Sequence, residues 1–178
     1  MNRITIKDKT FEVNLSAETI QERIQEVADL INADFKDKNP LFIVVLNGAF
    51  LFAADVFRRL NIACEISFIR VSSYAGTQST GFVRSILGLD GSVEGRPVIL
   101  LEDIVDSGDT AVYLVEEITK SRPSELRFAS LLLKPDALKH DFRPDYVGFE
   151  VPNDFLVGYG LDYDGYGRNL NEIYKLSS

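Results

Sequence analysis

Histidine and cysteine occur once each in the chain, and tryptophan not at all. With His140 as its only imidazole, the protein cannot build a metal site from several histidines, and a Ser-His-Asp triad would have to be built on that one residue. His140 lies in the polar stretch Lys139-His140-Asp141-Phe142-Arg143-Pro144-Asp145, which reads as a solvated turn. Cys64 has no second thiol to pair with. Its neighbours Ile62, Ile66 and Phe68 alternate as in a strand, so a small buried thiol is expected there. No apolar run approaches the roughly 20 residues of a membrane helix, and the N-terminal stretch has no apolar signal core. A soluble cytoplasmic protein without a membrane partner is the expectation. Basic charge is also short, with 19 Lys and Arg against 27 Asp and Glu and a net charge of -8. A protein that wraps nucleic acid presents a basic face, so no nucleic-acid partner is expected. Chemistry is left to carboxylates, backbone amides, lysine, arginine and a hard metal ion.

The 178 residues are 46% hydrophobic, enough for one domain with a core spanning 1–178. Arg3 to Val13 alternates weakly, as a strand pair turning at Asp8-Lys9 would. Ser16 is placed to cap a helix in which Ile20, Ile24, Val27 and Ile31 recur at helical spacing. After Asn39-Pro40 comes Leu41 to Leu46, apolar throughout, as a strand covered on both faces should be. Asn47-Gly48 turns into a helix from Ala49 to Leu60, and a strand follows from Cys64 to Arg70. A polar loop runs from Ser72 to Gly81. Strand Pro97 to Leu101, helix Asp109 to Lys120 and strand Leu126 to Leu133 complete the alternation. The pattern predicts an α/β fold: a central, mostly parallel sheet flanked by helices. On such sheets ligands bind beyond the carboxyl ends of the strands, where the strand order reverses.

One segment meets that condition. Residues 98–110 read VILLEDIVDSGDT: an apolar strand delivers Glu102 and Asp103 at its carboxyl end, and Asp106-Ser107-Gly108-Asp109-Thr110 then opens a helix. Glycine lets backbone approach a ligand, and the free amides of a helix start attract an anion. With the Ser107 and Thr110 hydroxyls they form a phosphate cradle. Helix capping would account for one of these polar residues, but not for five around one turn. The adjacent acids would repel a bare phosphate. They make sense as acceptors for ribose hydroxyls or as holders of Mg²⁺, which prefers hard oxygens and binds through substrate phosphates.

This segment resembles the phosphoribosyl-pyrophosphate motif of type I phosphoribosyltransferases. The resemblance to the hypoxanthine-guanine phosphoribosyltransferase family covers roughly residues 35–176. Leu46-Asn47-Gly48-Ala49-Phe50 resembles its pyrophosphate loop, FIRVSSYAGTQSTG (68–81) its active-site lid, and SLLLKPDAL (130–138) with VGFEVPNDFLVGYGLDYDGYGRNL (147–170) its purine-binding end. It implies the type I fold, with a small hood from the N- and C-terminal segments. It also implies transfer of a phosphoribosyl group from 5-phosphoribosyl-1-pyrophosphate to a 6-oxopurine, Mg²⁺ dependence, and a homodimer or homotetramer.

By the same resemblance Glu102 and Asp103 hold the ribose hydroxyls, and Asp106, Ser107, Gly108, Asp109 and Thr110 hold the 5-phosphate. Asp106 also handles the proton at purine N7, which makes it the catalytic residue. Lys134 donates to the 6-oxo group, Phe155 stacks on the base, and Val157 offers its backbone to the base edge. Glu102, Asp103 and Asp162 serve the metal, Asn47, Gly48 and Arg168 the pyrophosphate, and Ser73 and Tyr74 the lid. A non-proline cis peptide is implied at the pyrophosphate loop. Two departures stand out. Asn47 occupies a place where the family often has lysine, so weaker pyrophosphate binding with retained activity is expected. Asp109 puts an acid in the phosphate loop, which is tolerable if the side chain points to solvent while its amide serves the loop. A regulator of the same fold that senses the pyrophosphate substrate while binding RNA or DNA would need a basic surface that a charge of -8 does not suggest.

Overall fold

The computed structural model describes residues 3–73, 83–88 and 92–177. Two antiparallel strands, β1 (Arg3–Ile6) and β2 (Lys9–Leu15), open it, turning at Lys7-Asp8, one residue before the expected Asp8-Lys9, because Lys9 already pairs with Ile6. The Ser16 Oγ then accepts the Thr19 N–H at 3.2 Å and starts α1 (Ala17–Asp34). Such a cap satisfies one of the free amides of a helix start. Ile20, Ile24, Val27 and Ile31 form the buried stripe that their spacing predicts.

Next come β3 (Leu41–Leu46), α2 (Phe50–Phe57), β4 (Glu65–Ser73), β5 (Val83–Leu87), β6 (Pro97–Val105), α3 (Asp109–Lys120), β7 (Glu125–Leu133), β8 (Tyr146–Glu150), β9 (Leu156–Val157) and β10 (Ile173–Leu176). Helix α2 is shorter than the expected Ala49 to Leu60. Beyond Phe57 the Arg59 and Leu60 amides bond to Val56 and Phe57, the tighter i to i−3 pattern that closes a helix.

Strands β4, β3, β6, β7 and β8 run parallel, and β5 adds an antiparallel edge, in the order β5-β4-β3-β6-β7-β8. From β3 the chain moves outward to β4, then returns to β6 on the other side and proceeds to β7 and β8. The order therefore reverses between β3 and β6, and the crevice lies beyond their carboxyl ends. Alternate residues divide the core. Phe42, Val44, Ile99 and Leu101 pack under α1 and α2, whereas Leu41, Ile43, Val98 and Leu100 pack under α3.

The expectation for the start of β4 needs correction. Cys64 is only partly buried, and Ile66 and Phe68 are 41% and 44% exposed. They pair with Phe42 and Val44, on the face that carries α1 and α2. Those helices pack over β3, β6 and β8, so β4 lies beyond their cover. A separate four-stranded sheet, ordered β1-β2-β10-β9, joins both ends of the chain into the hood. Its small core is Phe11, Val157 and Tyr174.

Candidate active site

Three segments meet at the strand-order reversal. The first is the end of β3, where the Leu46–Asn47 peptide is cis, as the resemblance implies. Gly48 lies so close to β6 that a Cβ there would come within 1.7 Å of Asp103 Oδ2. The second is the end of β6. The third is the loop 158–168, whose Gly160 has φ +99° and would place a Cβ 2.0 Å from the Gly48 carbonyl oxygen. Both glycines are therefore needed for backbone to pack on backbone and on a carboxylate. Tyr159 anchors this third segment by donating its hydroxyl to Asp55 of α2. Arg168 donates to the Gly160 carbonyl at 2.6 Å. A concavity of about 210 Å³ opens here, lined by Leu46, Gly48, Val71, Glu102, Asp103 and Thr110.

Glu102 is 7% exposed, and its Oε2 is buried without a hydrogen-bond partner. Burial, and secondarily the neighbouring Asp103 charge, push its carboxyl well above the ordinary range. Burial likewise lifts Asp103 to about 6, against the opposing pull of backbone N–H groups and Arg168. Two desolvated acids with an orphaned oxygen are a site waiting for hydroxyl donors or a cation. Among the described residues no three carboxylate, imidazole or thiol groups gather to hold a metal alone. Hard oxygens in this number suit an ion shared with a substrate. Asp162 is otherwise engaged. Its Oδ1 is 2.5 Å from Arg168 and its Oδ2 accepts the Gly165 N–H at 2.7 Å. Its carboxylate is therefore open to such an ion only through water or after releasing Arg168.

The raised Asp103 has a consequence for stability. An unfolded aspartate ionises near pH 4. From there to about 6 the folded chain holds more protons than the unfolded one, so stability falls as pH rises through that window, and above it the cost is constant. Asp103→Asn is expected to raise the unfolding free energy by about 1–3 kcal/mol at a pH of about 7.5, with no gain at about 4. Urea denaturation at the two pH values checks this, and equal destabilisation at both would contradict it.

Beyond β6 the chain turns through Asp106-Ser107-Gly108. Gly108 takes φ +83°, and its amide and those that follow open α3. Glu102, Asp106, Ser107, Gly108 and Thr110 line a small hollow of about 90 Å³, the size for a phosphate group rather than a nucleoside. The side chain of Asp109 faces away from no one: its Oδ2 accepts the Ser107 hydroxyl at 2.7 Å and its Oδ1 lies 2.6 Å from His140 Nε2. It is half-exposed, as the loop requires, but engaged rather than simply solvated.

Lys134 emerges at the end of β7, buried to 7% exposure. Its Nζ donates to Asp106 Oδ2 at 2.7 Å and stands 3.5 Å from Asn153 Oδ1. Asn153, not singled out from the sequence, thereby carries the segment of Phe155 over Lys134. Phe155 is 43% exposed. Phe11 and Tyr163 support it with ring centroids 6.2 and 5.8 Å away, leaving surface for a flat ring. Val157 is fully buried in the hood core, so only its backbone can meet a ligand. Asn47 is exposed at the cis peptide. Of the expected lid pair, Ser73 closes β4 and Tyr74 lies outside the described residues. Another concavity, about 520 Å³, lies around Asn32, Asn39 and Asn61 near the start of β3, away from all these groups.

Comparison with known proteins agrees with this geometry. Residues 16–164 match the phosphoribosyl transferase domain. The hypoxanthine-guanine phosphoribosyltransferase of Bacillus subtilis is 44% identical over 162 residues, covering 90% of each chain. That of Mycobacterium tuberculosis is 44% identical over 171 residues, covering 92% of this chain and 85% of its own. Among solved structures, a hypoxanthine-guanine phosphoribosyltransferase of Bacillus anthracis superposes with a TM-score of 0.86 at 39% identity, covering 93% of this chain and 98% of its own. The hypoxanthine phosphoribosyltransferase of Trypanosoma cruzi, solved as a ternary substrates complex, gives 0.87 at 39% identity over 97% of both chains. The chain belongs to the hypoxanthine-guanine phosphoribosyltransferase family.

Proposed function

We propose that this protein transfers the 5-phosphoribosyl group of 5-phosphoribosyl-1-pyrophosphate to N9 of hypoxanthine, and also of guanine, releasing IMP or GMP and pyrophosphate. The observation that carries the reading is the Lys134–Asp106 pair, 2.7 Å long, at the edge of the phosphate hollow and beside the buried acids. The 5-phosphate docks on the amides of 107–110, and Glu102 and Asp103 accept from the ribose hydroxyls. Lys134 donates to the 6-oxo oxygen. As N9 forms its bond to C1 and the bond from C1 to pyrophosphate breaks, the N7 proton passes to Asp106. Phe155 stacks on the base, and the backbone of Val157 meets its edge. The cis amide at Asn47, with Gly48 and Arg168, receives the leaving pyrophosphate.

Mg²⁺, held by Glu102 and Asp103 with the donor's oxygens and through Asp162, would neutralise the leaving group's charge. The orphaned Glu102 oxygen supports that assignment.

The test is purine-dependent pyrophosphate release with 5-phosphoribosyl-1-pyrophosphate, comparing hypoxanthine, guanine, xanthine and adenine, with and without Mg²⁺. Turnover with 6-oxopurines and not adenine, abolished by EDTA, is expected. No turnover with any base despite tight donor binding would leave a sensor rather than an enzyme.

We read residues 1–178 as a single phosphoribosyltransferase domain that forms a homodimer or homotetramer. The exposed Ile66 and Phe68 on β4 favour burial against a second copy, and sedimentation at one protomer mass would contradict it. A cytoplasmic location fits a chain whose one thiol has no partner for a disulfide.

A further inference from the structure

His140 has no part in the reaction above, and Asp109 is an acid in a loop built for an anion. The two touch. Asp109 sits in the first turn of α3, where it shares the loop with the amides offered to the 5-phosphate. His140, then the Ser107 hydroxyl, hold its carboxyl down to about 2, so it is charged at every working pH. It also accepts the Ser107 hydroxyl at 2.7 Å, one of the donors a phosphate would need. Left alone, Asp109 would add a repelling charge and occupy a donor.

The segment after β7 answers the first of these by offering the carboxylate partners on the side away from the hollow. His140 Nε2 is 2.6 Å from Asp109 Oδ1, and Lys139 Nζ is 3.6 Å from Oδ2. The segment is seated on the loop by backbone as well. The Lys139 N–H donates to the Ser107 carbonyl at 3.0 Å. A Cβ at Gly108 would lie 3.3 Å from Leu138 and 3.6 Å from the His140 ring. Facing Asp109 are therefore Ser107 from its own loop and Lys139 and His140 from across. Among the described residues, Asp109 is the charged group that faces the imidazole from another element, with Lys139 and Asp141 as chain neighbours.

We propose that His140 is a positioning residue for the 5-phosphate: through its pair with Asp109 it holds that carboxylate toward the 138–140 segment and away from the bound phosphate. The inference rests on reading 106–110 as the phosphate loop. The pair is half-exposed on both sides and contributes little to folding. Its effect is felt by the ligand. A carboxylate left free to face a doubly charged phosphate in a water-like medium weakens binding about three- to tenfold. Because the chain has one histidine, no other imidazole can replace this one.

The experiment measures the Kd of ribose 5-phosphate and of 5-phosphoribosyl-1-pyrophosphate by calorimetry, with kcat and KM alongside. It compares the native chain, His140→Gln, Asp109→Asn and the double variant. His140→Gln is expected to weaken both ligands about three- to tenfold, with kcat and purine KM unchanged. In the Asp109→Asn background the same change should have no effect. A loss that persists in that background would overturn the proposal, as would no loss in the native background. Calorimetry needs no turnover, so absence of pyrophosphate release in the native chain would count against the proposed reaction and not against this pair.

Discussion

Asp106→Asn is expected to lower kcat by about 10²- to 10⁴-fold while moving donor KM by no more than a few fold. Asp106 stands on the turn between β6 and α3 with its carboxylate 2.7 Å from the Lys134 ammonium. Asparagine keeps the size and an oxygen for Lys134 to donate to, so the loop and the lysine stay in place. In the proposed reaction, what it removes is the base. The nucleophilic N9 lone pair becomes available as the N7 proton leaves, and an amide does not take that proton. Single-turnover measurement is needed, since slow product release can mask a lost chemical step. A drop of less than about tenfold in the single-turnover rate would mean that the proton goes to water and that Asp106 only orients Lys134.

Lys134→Met is expected to cut kcat/KM for hypoxanthine by about 10³-fold and to leave the small adenine rate nearly unchanged, so that discrimination collapses by the same factor. A site that donates a buried hydrogen bond to a substrate oxygen rejects an analogue that offers a donor instead, because both donors are then left unpaired. Lys134 is nearly buried, whereas its partner Asp106 is 53% exposed. Methionine fills the same volume, and Asp106 retains water, so the variant should unfold no more easily than the native chain. Equal losses for hypoxanthine and adenine, or a lowered Tm, would show that Lys134 holds the site together rather than reading the base.

The part of this site that is legible in the sequence is the part built by neighbours in the chain. Residues 98–110 carry an apolar strand, two acids, a glycine turn and a helix start within one stretch, and the structure uses them in that order. Lys134 follows the apolar run of β7, so its emergence at the carboxyl edge follows from strand direction alone. Other features depend on distant partners. Ile66 and Phe68 alternate like buried strand residues, and only the reach of α1 and α2, set by their packing over β3, β6 and β8, leaves them exposed. His140 reads as a solvated turn because its partner, Asp109, lies 31 residues earlier. Asn153 gives no signal beyond its place in the purine-binding segment. Strand β9 has two residues, too few for a period, and is a strand only because β10 pairs with it.

That last pairing sets an order of events during synthesis. In the hood β10 lies between β2 and β9, and β9, with Phe155 just before it, is held on the sheet by Tyr174 and Lys175. The small hollow is lined by residues 102–111 alone. The loop 158–168, with Asp162 and Arg168, and the surface of Phe155 wait until the strand ending at residue 176 has followed. The hollow is thus made in mid-synthesis, and the rest of the crevice takes shape only with β10.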